Sequence, residues 1–594
     1  MLKEAIYHIN DVPYLFPISD NEVKVRIRAK RGDAKEVYVL HSDRYVGPGS
    51  ESAQLLARAA STEDHDYFEG VLYSETQRIR YSFALTGENG ETLWAGDHGV
   101  SSDRLAAGTF NCPFIGSTWE GPYPSWVDDA VVYQIFPERF RNGDPANDPN
   151  GTESWDPGAE PTPFSFYGGD LKGITEKLPY LRELGVNLVY MTPIFRSSTN
   201  HKYNVDDYYE IDPAFGSKDD LKQLVDAAHS LGIRVMLDAV YNHSGDGFFA
   251  FRDVMEKGEA SPYKDWFFVR EYPVVQRPAA NYATFGSEYR MPKLNTANPE
   301  LRDYLLKVAR YWIEEFGIDG WRLDVANEVD HSFWRDLRRE IKGLGAELLL
   351  VGEIMHHSSP WLRGDMFDGI MNYPLREAMV DFFALQRIGA RTFVSRFESV
   401  RMHYSDQANR CMFNLIGSHD TERFLTACSR SEWGWGDKRE KDRLKLAMAF
   451  LFTYVGMPMV YYGDEVGMNG AHDPGCRKPM EWDEGRQDRD LFEYCRSYIR
   501  LRKTHRALTK GDIRVWFADD ARHSLGYIRF DGKETLGVVM NGSPIPQRLE
   551  LQVPADFAAS KIEGLLGGES FSLKDGRVVG EVPAYSACVI RLVP

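Results

Sequence analysis

The stretch SKDDLKQLVDAAHSLGIRVMLDAV, residues 217–240, contains one complete helix and strand unit of the predicted fold. Ser217 and Asp220 form a capping box that starts the helix. Its apolar residues recur with the helical period at Leu221, Leu224, Val225, Ala228 and Leu231. The apolar run IRVMLDAV follows at once and is typical of a buried strand. Alternation of this kind predicts a parallel sheet covered by helices.

Seven further apolar runs precede or follow this unit, so that eight candidate strands alternate with helices along the chain. The seven are AVVYQIF, VNLVYMTP, IDGWRLD, ELLLVGE, FDGIMNY, FNLIGSHD and MPMVYYGDE. Eight such repeats predict a closed (β/α)8 TIM barrel and an α/β fold class. A Pro- and aromatic-rich excursion, residues 243–298, interrupts the alternation after the third strand. We interpret it as an inserted subdomain.

Strand patterns without helices flank the barrel on both sides. In EVKVRIRAK, residues 22–30, apolar and charged residues alternate, which is typical of a half-buried strand. Similar runs fill residues 1–121, which we predict to be an N-terminal β-sandwich. The barrel is predicted over residues 122–504. After it, SLGYIRF, TLGVVMN and SACVIRLV indicate a C-terminal β-sandwich domain over residues 505–594.

Composition excludes several classes of function. The formal net charge is −18, from 88 acidic and 70 basic residues, which argues against nucleic acid as the main partner. One run, residues 446–463, has no charge over its 18 residues, but Gly456 and Pro458 interrupt it. We predict a buried helix, a turn and a buried strand there, and no membrane span. Aromatic residues make up 13% of the chain, which favours a sugar-binding function.

Cysteine usage and the N-terminus indicate a cellular location. The six cysteines are widely spaced, none forms a CxxC pair, and their density is too low for a disulfide scaffold. The opening residues MLKEAIYHIN include no apolar signal region and no small-residue cleavage site. Both features predict a reducing, cytoplasmic location.

Polar residues follow several of the predicted barrel strands, where the active site of such a barrel lies. They are Asp238, Asn242 and His243 after the third strand, Arg322 and Asp324 at the fourth, Glu353 after the fifth, and His419 and Asp420 after the seventh. Each alone could be a strand-end cap or a structural ion pair. Carboxylates at the same ends of four strands favour a convergent acidic site. A metal site is the competing interpretation, and Arg322 argues against it because a guanidinium repels a cation.

Two carboxylates at one site are what glycoside hydrolysis requires, one at the anomeric carbon and one to protonate the leaving oxygen. Arg322 and Asp324 are two residues apart, so in a strand they point to the same face. An adjacent positive charge lowers a carboxyl pKa, so we expect Asp324 to be ionised. Glu353 follows an apolar strand, a setting that raises a carboxyl pKa and suits a general acid.

These motifs resemble those of the α-amylase family of glycoside hydrolases: DAVYNH, GWRLD, GE and SHD occur in that order at strand ends. MPKLN, residues 291–295, and GWRLDVANEVDH resemble the branch of cyclomaltodextrinases, neopullulanases and maltogenic amylases. The resemblance implies that Asp324 is the nucleophile of a retaining mechanism, Glu353 the acid/base, and Asp420 a stabiliser of the transition state.

The resemblance also implies roles for the residues around these carboxyls. Arg322 would orient Asp324, His243 and His419 would bind the reacting glucose, and Tyr203 would stack on it. Asp238 and Asn242 would support these residues without contacting the substrate.

On the acceptor side, relatives in this branch often carry Trp where this chain has Met355. A thioether stacks less specifically than an indole, so substrate preference there is open. Asn327 and Glu328 are expected on that side. Phe285 and Trp361 are candidates for stacking, although either could equally belong to the core.

A second constellation of oxygen-bearing residues surrounds the end of the first barrel strand. It comprises Asn142, Asp144, Asn147, Asp148 and Asp170, with Gly168 as a source of a backbone carbonyl. Calcium takes six to eight such oxygens, but a polar turn held by Asx side chains has the same composition. The resemblance favours a structural calcium ion, which the chemistry would not need.

The resemblance implies hydrolysis of α-1,4-glucosidic bonds in cyclodextrins and malto-oligosaccharides, with some transglycosylation. A neopullulanase or maltogenic amylase acting mainly on pullulan or starch is the alternative. A non-catalytic carbohydrate-binding barrel usually lacks one of the three carboxylates, all of which are present here. A transferase or isomerase of the same fold is disfavoured by MPKLN and the N-terminal sandwich. The resemblance further implies a homodimer, with Tyr45 reaching the partner's active site.

Overall fold

The computed structural model of the protein describes residues 1–46, 49–118, 123–430 and 439–594. The predicted boundary between residues 121 and 122 lies outside the described residues.

Two antiparallel sheets pack face to face at the N-terminus. Their strands are β1 (Leu15–Ser19), β2 (Glu22–Lys30), β3 (Ala34–Ser42), β4 (Ser52–Leu55), β5 (Ala57–Ser61), β6 (His65–Tyr73), β7 (Ile79–Gly87), β8 (Thr92–Gly96), β9 (Gly99–Ser101) and β10 (Phe110–Cys112), with helix α1 (Arg104–Ala107) before β10. One sheet has the order β1-β2-β6-β5 and the other β4-β3-β7-β8-β9, with β10 beside β7. Val23, Val25 and Ile27 are buried in the core that the two sheets share, which confirms the alternation predicted for β2.

The eight predicted barrel strands are all present. The central strands are β11 (Val132–Ile135), β12 (Leu188–Met191), β13 (Phe195–Ser197), β14 (Val205–Ile211), β15 (Arg234–Ala239), β16 (Gly320–Leu323), β17 (Leu349–Gly352), β18 (Gly369–Ile370), β19 (Phe413–Leu415) and β20 (Met457–Tyr461). β13 and β14 pair with each other, and the other eight form a parallel sheet in the order β18-β17-β16-β15-β12-β11-β20-β19. A parallel bridge between Met371 and Phe413 joins the two ends of this sheet and closes the barrel.

Helices cover the outside of the barrel. They are α2 (Pro137–Phe140), α3 (Leu171–Leu184), α4 (Lys218–Ser230), α5 (Phe249–Lys257), α6 (Pro299–Phe316), α7 (His331–Leu344), α8 (Tyr373–Met379), α9 (Ala390–Met402), α10 (Asp406–Arg410), α11 (Phe424–Cys428), α12 (Glu440–Thr453), α13 (Arg489–Thr504) and α14 (Arg506–Thr509). The capping box of Ser217 and Asp220 starts α4 as predicted. The uncharged run forms the end of α12 and then β20, and no helix in the described part of the chain is long and apolar enough to cross a membrane.

The segment between β15 and α6 contains α5 and an irregular stretch held by single antiparallel bridges. One of these bridges pairs His243, just beyond β15, with Lys293. The inserted segment therefore packs directly against the carboxyl end of the barrel.

The C-terminal domain is again a pair of antiparallel sheets. Its strands are β21 (Asp512–Asp519), β22 (Ser524–Phe530), β23 (Thr535–Asn541), β24 (Gln547–Gln552), β25 (Lys561–Leu566), β26 (Ser572–Lys574), β27 (Arg577–Val582) and β28 (Ser586–Val593). Five strands have the order β21-β22-β23-β28-β25 and three the order β24-β27-β26. Side chains from both sheets, such as Val539 and Leu549, form their shared core.

Buried hydrogen bonds from one arginine attach the N-terminal domain to the barrel. Arg26 of β2 is fully buried and donates to Glu69 Oε1 at 2.6 Å. The same guanidinium donates to the carbonyls of Met402 and Tyr404, where α9 ends. A cation suits the C-terminal end of a helix, whose last carbonyls lack partners within the helix. The N-terminal sandwich is thus fixed to the barrel by hydrogen bonds as well as by apolar contact.

Candidate active site

One buried guanidinium connects three carboxyl groups at the carboxyl ends of three adjacent strands. Arg322 Nη1 donates to both oxygens of Asp238 at 2.9 Å and to Asp324 Oδ1 at 2.8 Å. Its Nη2 lies 2.7 Å from Glu353 Oε1. Strands β15, β16 and β17 are neighbours in the sheet, so residues distant in sequence meet here. The predicted convergence of these four residues is therefore what the structure shows.

A sharp turn after Asp324 also holds Glu353. Val325 adopts a left-handed conformation with φ of 43°, which is strained for a β-branched residue. In this conformation its backbone N–H donates to Glu353 Oε2 at 3.0 Å. Asp324 Oδ2, in contrast, is buried and accepts no hydrogen bond from any residue that the structure describes. Glu353 is thus held at both oxygens, whereas one oxygen of Asp324 has no donor in the described part of the chain.

Burial controls the protonation of this cluster. It raises the pKa of Asp238 to about 6 and the pKa of Asp324 well above its ordinary value, against the lowering effect of Arg322. Burial also raises the pKa of Glu353. The sequence-based expectation that Arg322 would give a net lowering of the Asp324 pKa is therefore wrong, because desolvation outweighs a charge shared among three carboxyls. The expected rise at Glu353 is confirmed.

A hydrogen-bonded chain leads from this cluster to His419. Tyr203 donates its hydroxyl to Asp238 Oδ2 at 2.9 Å and lies 2.6 Å from His419 Nε2. Gln134 Nε2 lies 2.8 Å from His419 Nδ1. Because an amide nitrogen can only donate, Nδ1 is the acceptor and the imidazole proton is on Nε2. The rings of Tyr203 and His419 are parallel, with centroids 5.4 Å apart. Burial lowers the pKa of His419 well below its ordinary value, so the imidazole is neutral.

His243 lies on the other side of the same cavity. Its ring stacks on Phe285 with centroids 4.9 Å apart, and burial lowers its pKa to about 3. Nδ1 lies 3.3 Å from Asn242 Nδ2, whereas Nε2 is buried and has no hydrogen-bond partner among the described residues. A buried imidazole nitrogen without a partner at a cavity wall is suited to bind a polar ligand.

Asp420 is more exposed than the other carboxyls. His419 Nε2 lies 3.1 Å from its Oδ2, and Arg477 Nη2 donates to its Oδ1 at 3.0 Å. Arg477 also donates from Nε to the carbonyl of His419 and pairs with Asp473. Asp420 is therefore held from two sides with its charge facing the cavity.

These groups surround a cavity of about 430 Å³. Its lining residues are His201, Tyr203, His243, Phe285, Met291, Asp324, Val325, Asn327, Glu353, Met355, His356, His419, Asp420, Asp473 and Arg477. Asn327 and Met355, which were predicted for the acceptor side, both line the cavity. Glu328 does not line the cavity and instead pairs with Lys293. Trp361 is also outside it, buried against His331 and His356.

The candidate calcium ligands lie together near the start of α3. Oδ1 of Asn142 and Oδ1 of Asn147 are buried and accept no hydrogen bond within residues 1–46, 49–118, 123–430 and 439–594. A Cβ added at Gly168 would lie 2.2 Å from Asp148 Oδ1, so this close approach requires glycine. Asp144 and Asp170, however, cap a short turn and α3 respectively. No cluster of three or more His, Cys, Asp or Glu able to hold a metal occurs among the residues that the structure describes. The unpaired amide oxygens fit a hard cation.

Sequence reasoning missed several residues that shape the site, notably Gln134, Tyr190 and Arg477. Tyr190 donates its hydroxyl to Asp238 Oδ2 at 2.7 Å. A polar Gln inside the apolar run AVVYQIF was an available signal, because a buried amide needs partners. Arg477 follows the eighth strand in a loop whose path the sequence does not indicate.

A parallel barrel with a carboxyl-rich cavity at the ends of its strands defines an enzyme of the TIM-barrel type. Residues 134–511 match the family described as alpha amylase, catalytic domain. Residues 1–116 match the alpha amylase N-terminal ig-like domain, and residues 513–589 the maltogenic amylase C-terminal domain. The chain belongs to the α-amylase family of glycoside hydrolases.

Proteins similar to this one align with it over nearly its whole length. It is 49% identical to neopullulanase 2 of Thermoactinomyces vulgaris, over 99% of both chains. It is 44% identical to a cyclomaltodextrinase of Geobacillus thermopakistaniensis, over 98% of both. A solved cyclomaltodextrinase structure matches with a TM-score of 0.93 and 42% identity, covering 100% of both chains.

The raised pKa of Asp238 predicts a pH-dependent stability. A folded-state pKa of about 6, against an ordinary value of 3.8, stabilises the fold below pH 3.8, and this contribution is lost as the pH rises through 6. The variant Asp238→Asn lacks this pH-dependent contribution to stability. From about pH 4 to about pH 7, we therefore expect the unfolding free energy of the variant to rise relative to wild type by roughly 1–3 kcal/mol. Urea unfolding at several pH values measures this difference.

The matched control is Asp253→Asn. The pKa of Asp253, on the surface of α5, is lowered by its hydrogen bonds to Lys257 and Ser261, so its contribution to stability is lost only as the pH falls below 3.8. From about pH 4 to about pH 7, the stability of this variant should therefore stay nearly parallel to that of wild type. A stability difference between Asp238→Asn and wild type that is flat or falls with rising pH would contradict the assignment.

Proposed function

We propose that the protein hydrolyses α-1,4-glucosidic bonds of cyclodextrins and malto-oligosaccharides with retention of configuration, and that it carries out some transglycosylation. The observation that carries this proposal is the unpaired Oδ2 of Asp324 at a cavity that Glu353 also lines. Both carboxyl groups are held by the same guanidinium. One free nucleophilic oxygen beside one held carboxyl is the pair that glycoside hydrolysis with retention requires.

In the first step, Asp324 Oδ2 forms a bond to the anomeric carbon while the bond from that carbon to the leaving oxygen breaks. Glu353 gives its proton to the leaving oxygen. The raised pKa values of the two carboxyls support a single proton retained between them, which must be on Glu353 when Asp324 attacks. Arg322 then neutralises part of the remaining negative charge.

In the second step, Glu353 accepts a proton from a water, whose oxygen attacks the anomeric carbon and displaces Asp324. If a sugar hydroxyl replaces the water, the outcome is transglycosylation. Two displacements on the same carbon restore its configuration. A retaining pair needs its carboxyl groups about 5–5.5 Å apart, and here both carboxyls contact the same guanidinium.

The surrounding groups are assigned to sugar binding. Asp420 would accept hydrogen bonds from the hydroxyls of the reacting glucose and stabilise positive charge at its ring. The neutral His419 and His243 would form hydrogen bonds with the sugar, and Tyr203 would present its ring to the apolar face of the sugar. Phe285, Asn327 and Met355 would contact the acceptor side.

The preference among glucans is also a proposal. We favour cyclodextrins because relatives named cyclomaltodextrinase cover the chain almost completely. The most similar of the relatives described above is named a neopullulanase, which supports pullulan as the second candidate. Met355, half exposed at the cavity, is the residue at which the acceptor side departs from the branch.

The first test compares initial rates on β-cyclodextrin, pullulan and soluble starch, with Asp324→Asn as the catalytic control. Wild type should open cyclodextrin fastest. The variant should lose at least about 10³-fold in kcat, because the amide cannot form the glycosyl-enzyme bond.

If pullulan or starch is hydrolysed faster than cyclodextrin, that glucan and not cyclodextrin is the main substrate. Activity that survives in Asp324→Asn would contradict the mechanism.

We further propose a structural calcium ion at the amide oxygens of Asn142 and Asn147 and the carbonyl of Gly168, with Asp144, Asp148 and Asp170 around it. No step of the reaction uses this ion. Its support is the pair of buried, unpaired amide oxygens. Calcium would supply the missing partner of these oxygens and join the first barrel loop to the start of α3.

Calcium added to chelator-treated protein should raise the thermal unfolding midpoint and bind with a measurable heat. At a calcium concentration about 100 times the Kd, the stabilisation would be about 2.7 kcal/mol. Asn147→Ala should abolish both effects while kcat on cyclodextrin stays unchanged. Magnesium is the matched control ion, because it requires shorter, octahedral contacts. Equal unfolding midpoints with and without calcium, together with no binding heat, would refute the site.

We propose that the protein forms a homodimer through its N-terminal domain. Tyr45, Val46 and Tyr73 leave 73%, 46% and 62% of their surfaces exposed on this domain. Val46 and Tyr73 line one groove, and Tyr45 is adjacent to Val46 in the chain. Clustered exposed apolar side chains mark interaction sites, and the resemblance to the branch identifies a second copy of this chain as the occupant.

Tyr45→Ala should weaken the dimer and shift the rate ratio of cyclodextrin to starch toward starch, because the partner would no longer narrow the cavity. Light scattering across a concentration series measures the first effect, and initial rates the second. The control is Ile545→Ala, which truncates an exposed side chain of the C-terminal domain. A Tyr45→Ala protein with unchanged dimer affinity and rate ratio would contradict this interface.

We propose a cytoplasmic location on the basis of the cysteine thiols. All six cysteines are described, buried and free, and burial raises the pKa of Cys428 and Cys588 to about 12. Such thiols are inert and are compatible with a reducing compartment.

A further inference from the structure

A second cavity lies where the three domains meet. Its volume is about 540 Å³, and it shares no lining residue with the active-site cavity. Its walls come from β5 and neighbouring turns of the N-terminal domain, from α9 of the barrel and from β21 of the C-terminal domain. A ligand in this cavity would therefore contact all three domains at once.

Four arginines line this cavity. The N-terminal domain contributes Arg31 and Arg58, the barrel Arg391 and the C-terminal domain Arg514. No carboxyl group lines it among the residues that the structure describes. The chain as a whole has a formal net charge of −18, so four guanidinium groups at one cavity reverse the charge locally. Arginine stays protonated in proteins, so this wall is positive throughout the physiological pH range.

The carboxylate closest to Arg58 does not neutralise it by a hydrogen bond. Arg58 Nε lies 3.9 Å from Asp66 Oδ2, which is beyond hydrogen-bond distance. Two neutral donors, the N–H of Gly32 at 2.9 Å and the hydroxyl of Ser61 at 2.5 Å, bind the carboxylate of Asp66 instead. The guanidinium of Arg58 is thus left to face the cavity.

Two of the other three arginines are also without a close carboxylate. Arg391 Nε lies 4.0 Å from Asp520 Oδ2, and the other oxygen of Asp520 accepts the backbone N–H of Arg391 at 2.8 Å. Arg31 donates to the carbonyl of Thr62 at 3.1 Å and has no ion pair in the described part of the chain. Only Arg514 is closely paired, with Asp556. The cavity therefore has an excess of positive charge that a bound anion would balance.

The rest of the wall suits an anion with an organic part. Ser395 Oγ accepts the N–H of Glu63 at 2.8 Å, and its hydroxyl proton has no acceptor among the described residues. Val394 and Phe517 add apolar surface beside the arginines. Phosphate groups are bound by the paired donors of arginine forks and by hydroxyl groups, so these residue types together fit a phosphate ester.

We propose that this cavity binds a small phosphate ester. The phosphate contacts the arginines and the hydroxyl of Ser395, and the organic part lies against Val394 and Phe517. A phosphate monoester carries close to two negative charges at neutral pH, which matches a wall where three guanidinium groups have no close carboxylate. The site differs from the glucan site in both place and chemistry, so the inference goes beyond the proposed function and does not depend on it.

Titration calorimetry with phenyl phosphate tests the site at about pH 8, where the second phosphate proton is lost. The whole protein should bind one phenyl phosphate per chain. Phenyl sulfate has a similar shape but a single charge, and its Kd should be at least about tenfold higher. Inorganic phosphate lacks the organic part and should also bind more weakly. All three titrations are made at one ionic strength, because salt screens such contacts.

Arginine variants locate the binding. Arg58→Ala and Arg391→Ala should each raise the Kd for phenyl phosphate at least about tenfold, since each removes charge-assisted hydrogen bonds. Arg391→Lys should recover part of the affinity, because it keeps the charge and loses the fork. The Arg58 and Arg391 side chains are 50% and 73% exposed, so the ligand-free variants should unfold at the wild-type midpoint.

The matched control is Arg577→Ala, which removes a half-exposed arginine of the C-terminal domain that is paired with Glu550. It should bind phenyl phosphate as wild type does.

Four results would overturn the proposal. They are no saturable binding of phenyl phosphate up to about 10 mM, equal affinity for phenyl phosphate and phenyl sulfate, inorganic phosphate bound as tightly as phenyl phosphate, or a Kd that changes equally in Arg577→Ala and in the two cavity variants.

Discussion

The arrangement of this active site depends on one buried cation, the guanidinium of Arg322. Three carboxyl groups contact it, and none of them has another cation within ion-pair distance in the described structure. Burying an unpaired carboxylate costs several kcal/mol, so these side chains can share the barrel only where the guanidinium holds them. The planar fork of an arginine also directs its partners, which a lysine could not do. The guanidinium of Arg322 therefore determines both the position and the charge of the reacting groups.

The charges in this cluster do not balance, and the imbalance favours the protonation of its carboxyl groups. Three ionised carboxylates around one guanidinium would leave a net negative charge in a desolvated site, so burial raises all three pKa values. A proton retained between Asp324 and Glu353 is what an acid/base residue needs at neutral pH. The strained Val325 contributes by aiming its N–H at Glu353. Around this core the histidines are kept neutral by burial, so they add no charge to the site.

Much of the fold and part of the site could be predicted from particular residues. The apolar runs of the eight strands and the capped helix at Ser217 are local signals that tertiary contacts did not override. Asp324, Glu353 and Asp420 were found because parallel strands place their carboxyl ends on one face. Glu328 shows the limit of this reasoning: it is three residues beyond Val325, and the turn directs it to Lys293 and not to the cavity. Gln134 and Arg477 were missed because their partners lie on distant strands and loops.

By itself, the sequence determined the order of strands and helices, the three-part organisation of the chain and the set of acidic residues at the strand ends. These properties follow from local periodicity and from the closure rule of parallel barrels, which need no knowledge of side-chain contacts. Only the tertiary structure decided that Arg322 serves three carboxyls and that desolvation outweighs its effect on the Asp324 pKa. It also decided which nitrogen of His243 faces the cavity. The physical reason is that protonation and hydrogen-bond direction depend on distances of a few ångströms between residues far apart in the chain, and those distances exist only after the barrel has closed.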